Sequence, residues 1–189
     1  MNPALLYIFS GLPGVGKSTL AKRLSETLGC AYLRIDTIEQ ALRELCGIAV
    51  EGEGYRLAYR VAADNLVRGV GVVADSCNPI DLTRREWEAV ATDVGAAFAN
   101  IEVVCSDRQE HRRRAERRTS EIVGLNLPAW EAIRAREYHP WRSQRIVVDT
   151  AGQTPAQSFR TLAQRLGLTP AVSHKGAPPA RLEQTPSSR

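Results

Sequence analysis

Short apolar runs alternate along the chain with stretches in which apolar residues have helical spacing. Five runs are compact enough to predict buried strands: Leu5–Ser10, Ala31–Ile35, Val70–Ala74, Asn100–Cys105 and Arg145–Val148. Between these runs, apolar residues recur every three or four positions, which predicts helices. Strands that alternate with helices favour a parallel sheet with crossover connections. We therefore expect an α/β fold with a five-stranded, mostly parallel sheet and helices on both faces.

Particular residue types mark the ends of several predicted helices. Gly29 follows the first helical stretch, and glycine is the usual residue just after a helix C-terminus. Asp81, Asp107 and Thr154 each precede a later helical stretch, where their side chains can accept hydrogen bonds from free backbone N–H groups. Pro155 then suits the first position of the last helix. These residues predict where the helices begin and end.

The last part of the chain differs in composition from the rest. Residues 168–189 carry four prolines and few apolar side chains, so they cannot bury a core. We expect a folded domain at residues 1–167 and a disordered C-terminal tail at residues 168–189. The tail also holds half of the formal net charge of +4. The domain is therefore nearly neutral, which makes nucleic acid an unlikely partner.

The cysteines and the apolar runs indicate in which cellular compartment the protein is expected. Cys30, Cys46, Cys77 and Cys105 show no Cys-x-x-Cys spacing, so reduced thiols are expected rather than a zinc site. The apolar run at the N-terminus is too short for a signal segment and lacks a basic flank. No run approaches the roughly 20 apolar residues that cross a bilayer. We expect a cytoplasmic protein without a membrane partner.

The first predicted strand leads into the segment Gly11-Leu-Pro-Gly-Val-Gly-Lys-Ser18. It fits the P-loop pattern G-x-x-x-x-G-K-[ST], placed between a strand and a helix. Backbone N–H groups of such a loop surround phosphate oxygens, and the next helix adds its dipole. Lys17 can reach the β- and γ-phosphates, and the Ser18 hydroxyl can ligate Mg²⁺. The segment predicts binding of ATP and Mg²⁺. The predicted nucleotide contacts are Gly11, Pro13, Gly14, Val15, Gly16, Lys17, Ser18 and Thr19.

The rest of the sequence narrows the class of P-loop protein. No [NT]-K-x-D run is present, which disfavours a GTPase, and no LSGGQ-like segment, which disfavours a transporter ATPase. Asp75 is followed by Ser76, whereas motor and AAA-type ATPases have a glutamate there that orients water. These features favour phosphoryl transfer over hydrolysis, so we interpret residues 1–167 as a single P-loop kinase domain.

Two aspartates stand at the ends of predicted strands beside the P-loop. Asp36 follows the second strand and Asp75 follows the third. In an open parallel sheet, ligands bind beyond the carboxyl ends of the strands. One carboxylate can accept the proton of an acceptor hydroxyl, and the other can hold Mg²⁺ through water. Alternatively, both aspartates are helix caps, since each precedes a helix or a turn.

An arginine-rich stretch follows the fourth predicted strand. On a helix, Arg114, Arg117 and Arg118 would share one face. In kinases of this build, a mobile lid after the fourth strand closes arginines over the phosphates, where they offset developing charge. The alternative is a solvated helix face whose arginines pair with nearby glutamates. The stretch therefore predicts an arginine-bearing lid.

With these features, the sequence resembles the AAA_33-type group of P-loop kinases. Wider relatives of that group are polynucleotide 5′-kinases, chloramphenicol phosphotransferase and zeta toxins. The resemblance covers about residues 4–167 and rests on the P-loop, Leu33–Gln40, Val72–Pro79, Arg84–Trp87, Asp107–Arg118 and Trp130–Tyr138. It implies that Asp36 is the general base, that Asn78 lies near the phosphates or the acceptor, and that Arg114 or Arg117 acts in the lid. Asp75 then remains, with Ser18, as a predicted metal ligand.

One position departs from the pattern of those relatives. Polynucleotide kinases and zeta toxins have an arginine shortly after the base aspartate, where this chain has Glu39. Glu39 favours a neutral or cationic acceptor. We predict an ATP-dependent phosphotransferase that moves the γ-phosphoryl group to a hydroxyl of a small-molecule acceptor. The alternatives are a polynucleotide 5′-hydroxyl kinase and an ATP-binding regulatory module with slow hydrolysis.

Overall fold

Five parallel strands form the central sheet of the computed structural model, which describes residues 4–168. The strands are β1 (Leu5–Ser10), β2 (Ala31–Arg34), β3 (Val72–Asp75), β4 (Ala97–Val104) and β5 (Ile146–Asp149). Their order in the sheet is β2-β3-β1-β4-β5, and each neighbouring pair is parallel. The predicted fold is confirmed, with an all-parallel sheet. The predicted tail at 168–189 lies outside the described residues, apart from Leu168.

Helices cover both faces of the sheet. They are α1 (Lys17–Leu28), α2 (Ile35–Cys46), α3 (Glu53–Val67), α4 (Asp81–Asp93), α5 (Arg108–Arg117), α6 (Trp130–Ala135) and α7 (Pro155–Arg165). Alternate residues of β1 point to opposite sides, because successive side chains of a strand do so. Tyr7 and Phe9 pack in the core with α1 and α7, whereas Leu6 and Ile8 pack in the core with α3 and α4. Among residues 4–168, no helix is long and apolar enough to cross a membrane.

The helix ends agree with the sequence at most of the marked positions. The Asp107 side chain accepts hydrogen bonds from the backbone N–H groups of Gln109 and Glu110, and Thr154 forms a capping box at α7. Gly29 ends α1 with a left-handed backbone conformation. The predicted cap at Asp81 is wrong, because Asp81 lies inside the first turn of α4 and pairs with Arg85. The acidic side chain there still suits the positive end of the helix dipole.

A buried arginine joins α4 to the segment that follows α6. Arg84 is 2 % exposed and makes no ion pair with a described residue. Its guanidinium lies over the rings of Tyr138 and Trp141. It donates hydrogen bonds to the carbonyl oxygens of Asn78, Pro79, His139 and Pro140. Carbonyl dipoles and aromatic faces thus compensate the buried charge, and Arg84 fixes the two segments relative to each other.

We expect Arg84→Met to lower the free energy of unfolding by about 2–4 kcal/mol, since it leaves buried carbonyl groups without donors. Urea denaturation would measure the loss. Arg85→Met is the matched control, because the Arg85 side chain is 66% exposed and pairs only with Asp81. Its expected cost is below about 1 kcal/mol. Equal losses in the two variants would contradict this structural role of Arg84.

Candidate active site

The P-loop leaves β1 at the carboxyl edge of the sheet and enters α1. Gly14 has a φ of 91°, and a Cβ there would lie 3.1 Å from the Cβ of Ala115 in α5. A larger residue would therefore both strain the backbone and push α5 away. Val15 is 3% exposed and packs in the core, so only its backbone can serve a ligand. The glycine pattern thus allows α5 to pack directly on the loop.

Side chains from two other elements hold the P-loop from outside. The His111 ring donates from Nε2 to the Pro13 carbonyl oxygen at 2.9 Å. The Thr150 hydroxyl, just after β5, lies 2.9 Å from the Val15 carbonyl oxygen. Arg114 in turn donates to the Thr150 hydroxyl at 2.8 Å and to its carbonyl oxygen at 2.9 Å. These bonds orient loop carbonyls outward, which preorganises the loop N–H groups for an anion.

Lys17 and Asp75 form a buried ion pair at the centre of the site. Lys17 Nζ lies 2.6 Å from Asp75 Oδ1, and the Tyr32 hydroxyl donates to Asp75 Oδ2 at 2.6 Å. Burial raises the pKa of Asp75, but Lys17 and the hydroxyls of Tyr32 and Ser18 outweigh it and hold that pKa below its ordinary value. Asp75 is therefore a carboxylate, and it is not a helix cap. The pair is possible because β1 and β3 are parallel neighbours.

The predicted metal ligands are consistent with a magnesium ion. The Ser18 side chain lines the cavity and helps to lower the pKa of the buried Asp75, so a hydroxyl oxygen and a carboxylate oxygen lie near each other behind the P-loop. Mg²⁺ prefers oxygen ligands and commonly takes only one or two from the protein, with the rest from phosphates and water. Within residues 4–168, no group of three His, Cys, Asp or Glu side chains could hold a metal ion. A hydroxyl and a carboxylate fit a Mg²⁺ ion that takes its other ligands from nucleotide phosphates and water.

One cavity of about 1140 Å³ joins the P-loop to α2 and to the segment after α5. Gly11, Pro13, Gly14, Gly16, Lys17, Ser18 and Thr19 line it. The opposite wall includes Asp36, Glu39 and Arg43 of α2, and residues 118–121 and 124–128 form its cover. The cover also contacts α2, since Gly124 lies against Gln40 and Glu44. A nucleotide phosphate and a second ligand could therefore meet inside a single chamber.

Asp36 lies in this chamber, but not at the end of a strand. Strand β2 stops at Arg34, and Asp36 is the second residue of α2. Its side chain is exposed, lines the cavity and raises the pKa of Lys17, though less than Asp75 does. Arg34 occupies the N-cap position of α2, and no side chain caps that helix. The alternative interpretation of Asp36 as a helix cap is therefore wrong.

The arginines after β4 do not all face the cavity. Arg114 and Arg118 line it, whereas Arg117 is exposed and does not. Helix α5 ends at Arg117, and Arg118 has an extended backbone conformation. Helical spacing therefore no longer fixes the direction of Arg118, and the expectation that all three share one face is wrong. The stretch does border the cavity, where its lining arginines are Arg114 and Arg118. That it acts as a lid stays a prediction.

Asn78 does not line the cavity, contrary to its implied place near phosphate or acceptor. It is fully buried, and its side-chain amide donates to the Phe9 carbonyl oxygen at 2.9 Å. Its φ of 44° is a left-handed conformation that asparagine tolerates better than most residues. The structure thus gives Asn78 a role in fixing the loop after β3 against β1.

Several residues that line the cavity were not predicted as site residues, and among them are Tyr32, Arg43 and Arg136. Tyr32 fixes the Asp75 carboxylate, and burial together with the charge of Asp75 raises the pKa of the Tyr32 hydroxyl. Burial raises the pKa of the Cys77 thiol, and Arg136, which follows α6, opposes this. No local motif marks Tyr32 or Arg43 as a site residue, and Arg136 lies in a segment that carried the family resemblance without a role. Each of the three reaches the site through the tertiary fold.

Comparison with known proteins agrees with this geometry. The family model for the AAA domain designated AAA_33 matches residues 6–140. The chain belongs to this family. A protein of Pyrococcus abyssi named "putative adenylate kinase" is 45% identical to this AAA_33 protein over 153 residues, which cover 81% of this chain and 79% of the relative.

Solved structures of kinases share the fold of this AAA_33 protein. The APS kinase CysC of Mycobacterium tuberculosis superposes with a TM-score of 0.64 and 18% sequence identity, over 88% of this chain and 99% of that chain. A gluconokinase of Sinorhizobium meliloti gives a TM-score of 0.59 and 17% identity, over 88% and 98% of the two chains. The fold is that of a P-loop kinase, and family membership together with the P-loop supports nucleotide binding.

Proposed function

We propose that this AAA_33 protein transfers the γ-phosphoryl group of Mg·ATP to a hydroxyl of a small-molecule acceptor. The observation that supports this most is the place of Asp36. Its exposed carboxylate lines the same cavity as the P-loop, and its charge acts on both Lys17 and Arg118. A hydroxyl must lose a proton as it attacks phosphorus, and a carboxylate at this position can accept it.

Each group of residues around the cavity would have a different role in phosphoryl transfer. The P-loop N–H groups and Lys17 would bind the phosphates; Lys17 has three N–H donors and can keep its bond to Asp75. Ser18 and Asp75 would hold Mg²⁺, which would supply charge neutralisation at the phosphates. Asp36 would orient the acceptor hydroxyl and accept its proton. Arg114 would offset the charge that develops on the transferred group.

A second candidate is transfer to the phosphate of a nucleoside monophosphate. The name of the Pyrococcus abyssi relative supports it, and so do the arginines of the acceptor wall, Arg43, Arg118 and Arg136. A phosphate acceptor is already ionised near neutral pH and needs no general base. The two candidates therefore differ in whether Asp36 is required.

The chemical bond in the product decides between these candidates. The protein would be incubated with ATP and Mg²⁺ and with three separate pools: hydroxyl compounds, both neutral or cationic (polyols, sugars, amino alcohols) and anionic (hydroxy acids, sugar phosphates); nucleoside monophosphates; and 5′-hydroxyl oligonucleotides. Phosphorus NMR distinguishes a phosphate ester from a phosphoanhydride. We expect an ester in the first pool alone. A phosphoanhydride in the second pool would establish the nucleotide candidate instead. A phosphate ester on the 5′-hydroxyl of the oligonucleotide would establish the polynucleotide kinase.

Two arginines of α5, Arg114 and Arg117, test which side chain acts in the predicted lid. Arg114→Met should lower turnover by about 10²-fold, because it removes a preorganised donor that faces the transferred group. ATP affinity should fall by much less than turnover, because Arg114 supports the P-loop only through Thr150, whereas its charge matters mainly in the transition state. Arg117→Met is the control, because Arg117 lies outside the cavity, and its turnover should stay within about twofold of wild type. Similar losses in both variants would refute this assignment of the lid arginine.

A further inference from the structure

Basic side chains outnumber acidic ones around the cavity. Eight lysine and arginine residues line it, against four aspartate and glutamate residues. Ion pairs account for several of the cations: Lys17 pairs with Asp75, Arg34 with Glu121, and Arg43 with Glu39. Arg114 pairs with Glu110 outside the cavity. The question is which cations remain available to a ligand.

Arg118 and Arg136 are two cavity-lining cations that remain available to a ligand. Neither forms an ion pair with any residue between 4 and 168. Arg118 Nε is buried and has no hydrogen-bond acceptor among the described residues. Burial lowers the pKa of Arg118, and the positive charges of Arg34 and Arg136 lower it further, against the opposing effect of Asp36. Arg118 is half-buried and Arg136 is exposed. A partly desolvated cation with an unused donor, beside a second unpaired cation, favours an anionic ligand.

These two arginines lie on the acceptor side of the P-loop. Arg136 lines the cavity together with Cys77, which follows β3, and Glu39 of α2. Burial raises the pKa of both groups, and the charge of Arg136 opposes this at each of them. Arg114, by contrast, is bound to Thr150 after β5. In the sheet, β2 and β3 lie on one side of β1, whereas β4 and β5 lie on the other. Arg136 is therefore placed on the β3 and α2 side of the cavity, whereas Arg114 is held on the β5 side.

The structure also removes the reason to expect a neutral or cationic acceptor. Glu39 Oε2 lies 3.2 Å from a terminal nitrogen of Arg43, so its charge is compensated within α2. Burial raises the pKa of Glu39, and this is only partly opposed by Arg43. Glu39 thus does not present an uncompensated negative charge to the acceptor, and the expectation drawn from it is not supported.

We propose that the acceptor carries an anionic group next to its reacting hydroxyl, and that Arg136 and Arg118 bind this group. The proposal rests on the proposed function, because it concerns the acceptor that Asp36 would deprotonate. The planar guanidinium groups offer paired N–H donors that match the oxygens of a phosphate ester or a carboxylate. The acceptor class is therefore a phosphorylated or carboxylated hydroxyl compound.

The test measures binding of simple anions while the P-loop is occupied. The protein would first be saturated with a non-hydrolysable ATP analogue and Mg²⁺, and then titrated with inorganic phosphate or acetate in a calorimeter. We expect at least one of the two anions to bind, and the preferred anion identifies the group on the acceptor. Arg136→Met should weaken that binding by about 10-fold or more, and Arg136→Lys should restore part of it.

Arg134→Met is the matched control, because Arg134 lies on α6, is exposed and does not line the cavity. Its anion affinity should equal that of wild type. If neither anion binds, or if Arg136→Met binds as tightly as wild type, the proposal is wrong. The affinity for the ATP analogue is measured first, so loss of the nucleotide site is recognised separately. Failure to find a phosphate ester as product would count against the proposed function, not against an anion site.

Discussion

Lys17→Ala should lose both phosphoryl transfer and part of the stability of the fold. Transfer should fall by at least about 10²-fold, because Lys17 supplies a preorganised positive charge beside the phosphates. Stability should fall as well, since the variant leaves Asp75 buried without its ion-pair partner. Breaking one side of a buried pair typically costs about 3–5 kcal/mol. Chemical denaturation and a turnover assay would measure the two effects independently.

A second variant separates these two effects. In Lys17→Ala with Asp75→Asn, no uncompensated carboxylate remains, and the Tyr32 hydroxyl can still donate to the amide oxygen. Most of the lost stability should return, while phosphoryl transfer should stay at the level of the single variant. If the double variant regained transfer, or if Lys17→Ala left ATP affinity and turnover unchanged, the nucleotide assignment of the P-loop would be wrong.

The stability loss in Lys17→Ala should also depend on pH. In the wild type, the pKa of Asp75 lies below its ordinary value of about 3.9, so its contribution to stability is present above that pH and is lost as pH falls through the folded-state pKa. Without Lys17, burial is the largest remaining influence and should raise this pKa. The difference in unfolding free energy between wild type and variant should then grow from about pH 4 to pH 7.

Asp36→Asn should keep ATP binding and lose transfer to a hydroxyl by a factor of about 10²–10⁴. The amide has nearly the shape of the carboxylate but cannot accept the proton. Asp36 is exposed and makes no capping contact, so the fold should tolerate the change. Asp64→Asn on α3 is the control, because Asp64 does not line the cavity. Transfer that survives within a few-fold would show that Asp36 is not the base.

The sequence predicted the sheet and the P-loop well because both depend on local patterns. Compact apolar runs mark buried strands, and the P-loop glycines act through their own backbone. The position of Asp36 was less predictable. Ile35 is apolar and suits a buried strand or a buried helix equally well, so the pattern cannot show that β2 ends at Arg34. The base candidate was identified, but its place in the first turn of α2 was not.

Contacts between distant residues could not be predicted from the sequence. The partner of Lys17 is 58 residues away and is brought close by the pairing of β1 with β3. The choice between Arg117 and Arg118 depends on one backbone angle, because α5 ends between them and Arg118 continues with a ψ of 144°. The burial of Asn78 depends on its bond to the Phe9 carbonyl oxygen. Each of these features follows from packing rather than from a motif.

The destination of the γ-phosphoryl group in a single turnover tests the central claim most directly. Protein in excess over γ-labelled ATP would be mixed with Mg²⁺ and the acceptor pool that yields product, and the reaction would be stopped over time. We predict that the label appears in a phosphate ester well ahead of inorganic phosphate, and that Asp36→Asn slows this step. Label released mainly as inorganic phosphate, at a rate that does not depend on the acceptor, would contradict a phosphotransferase.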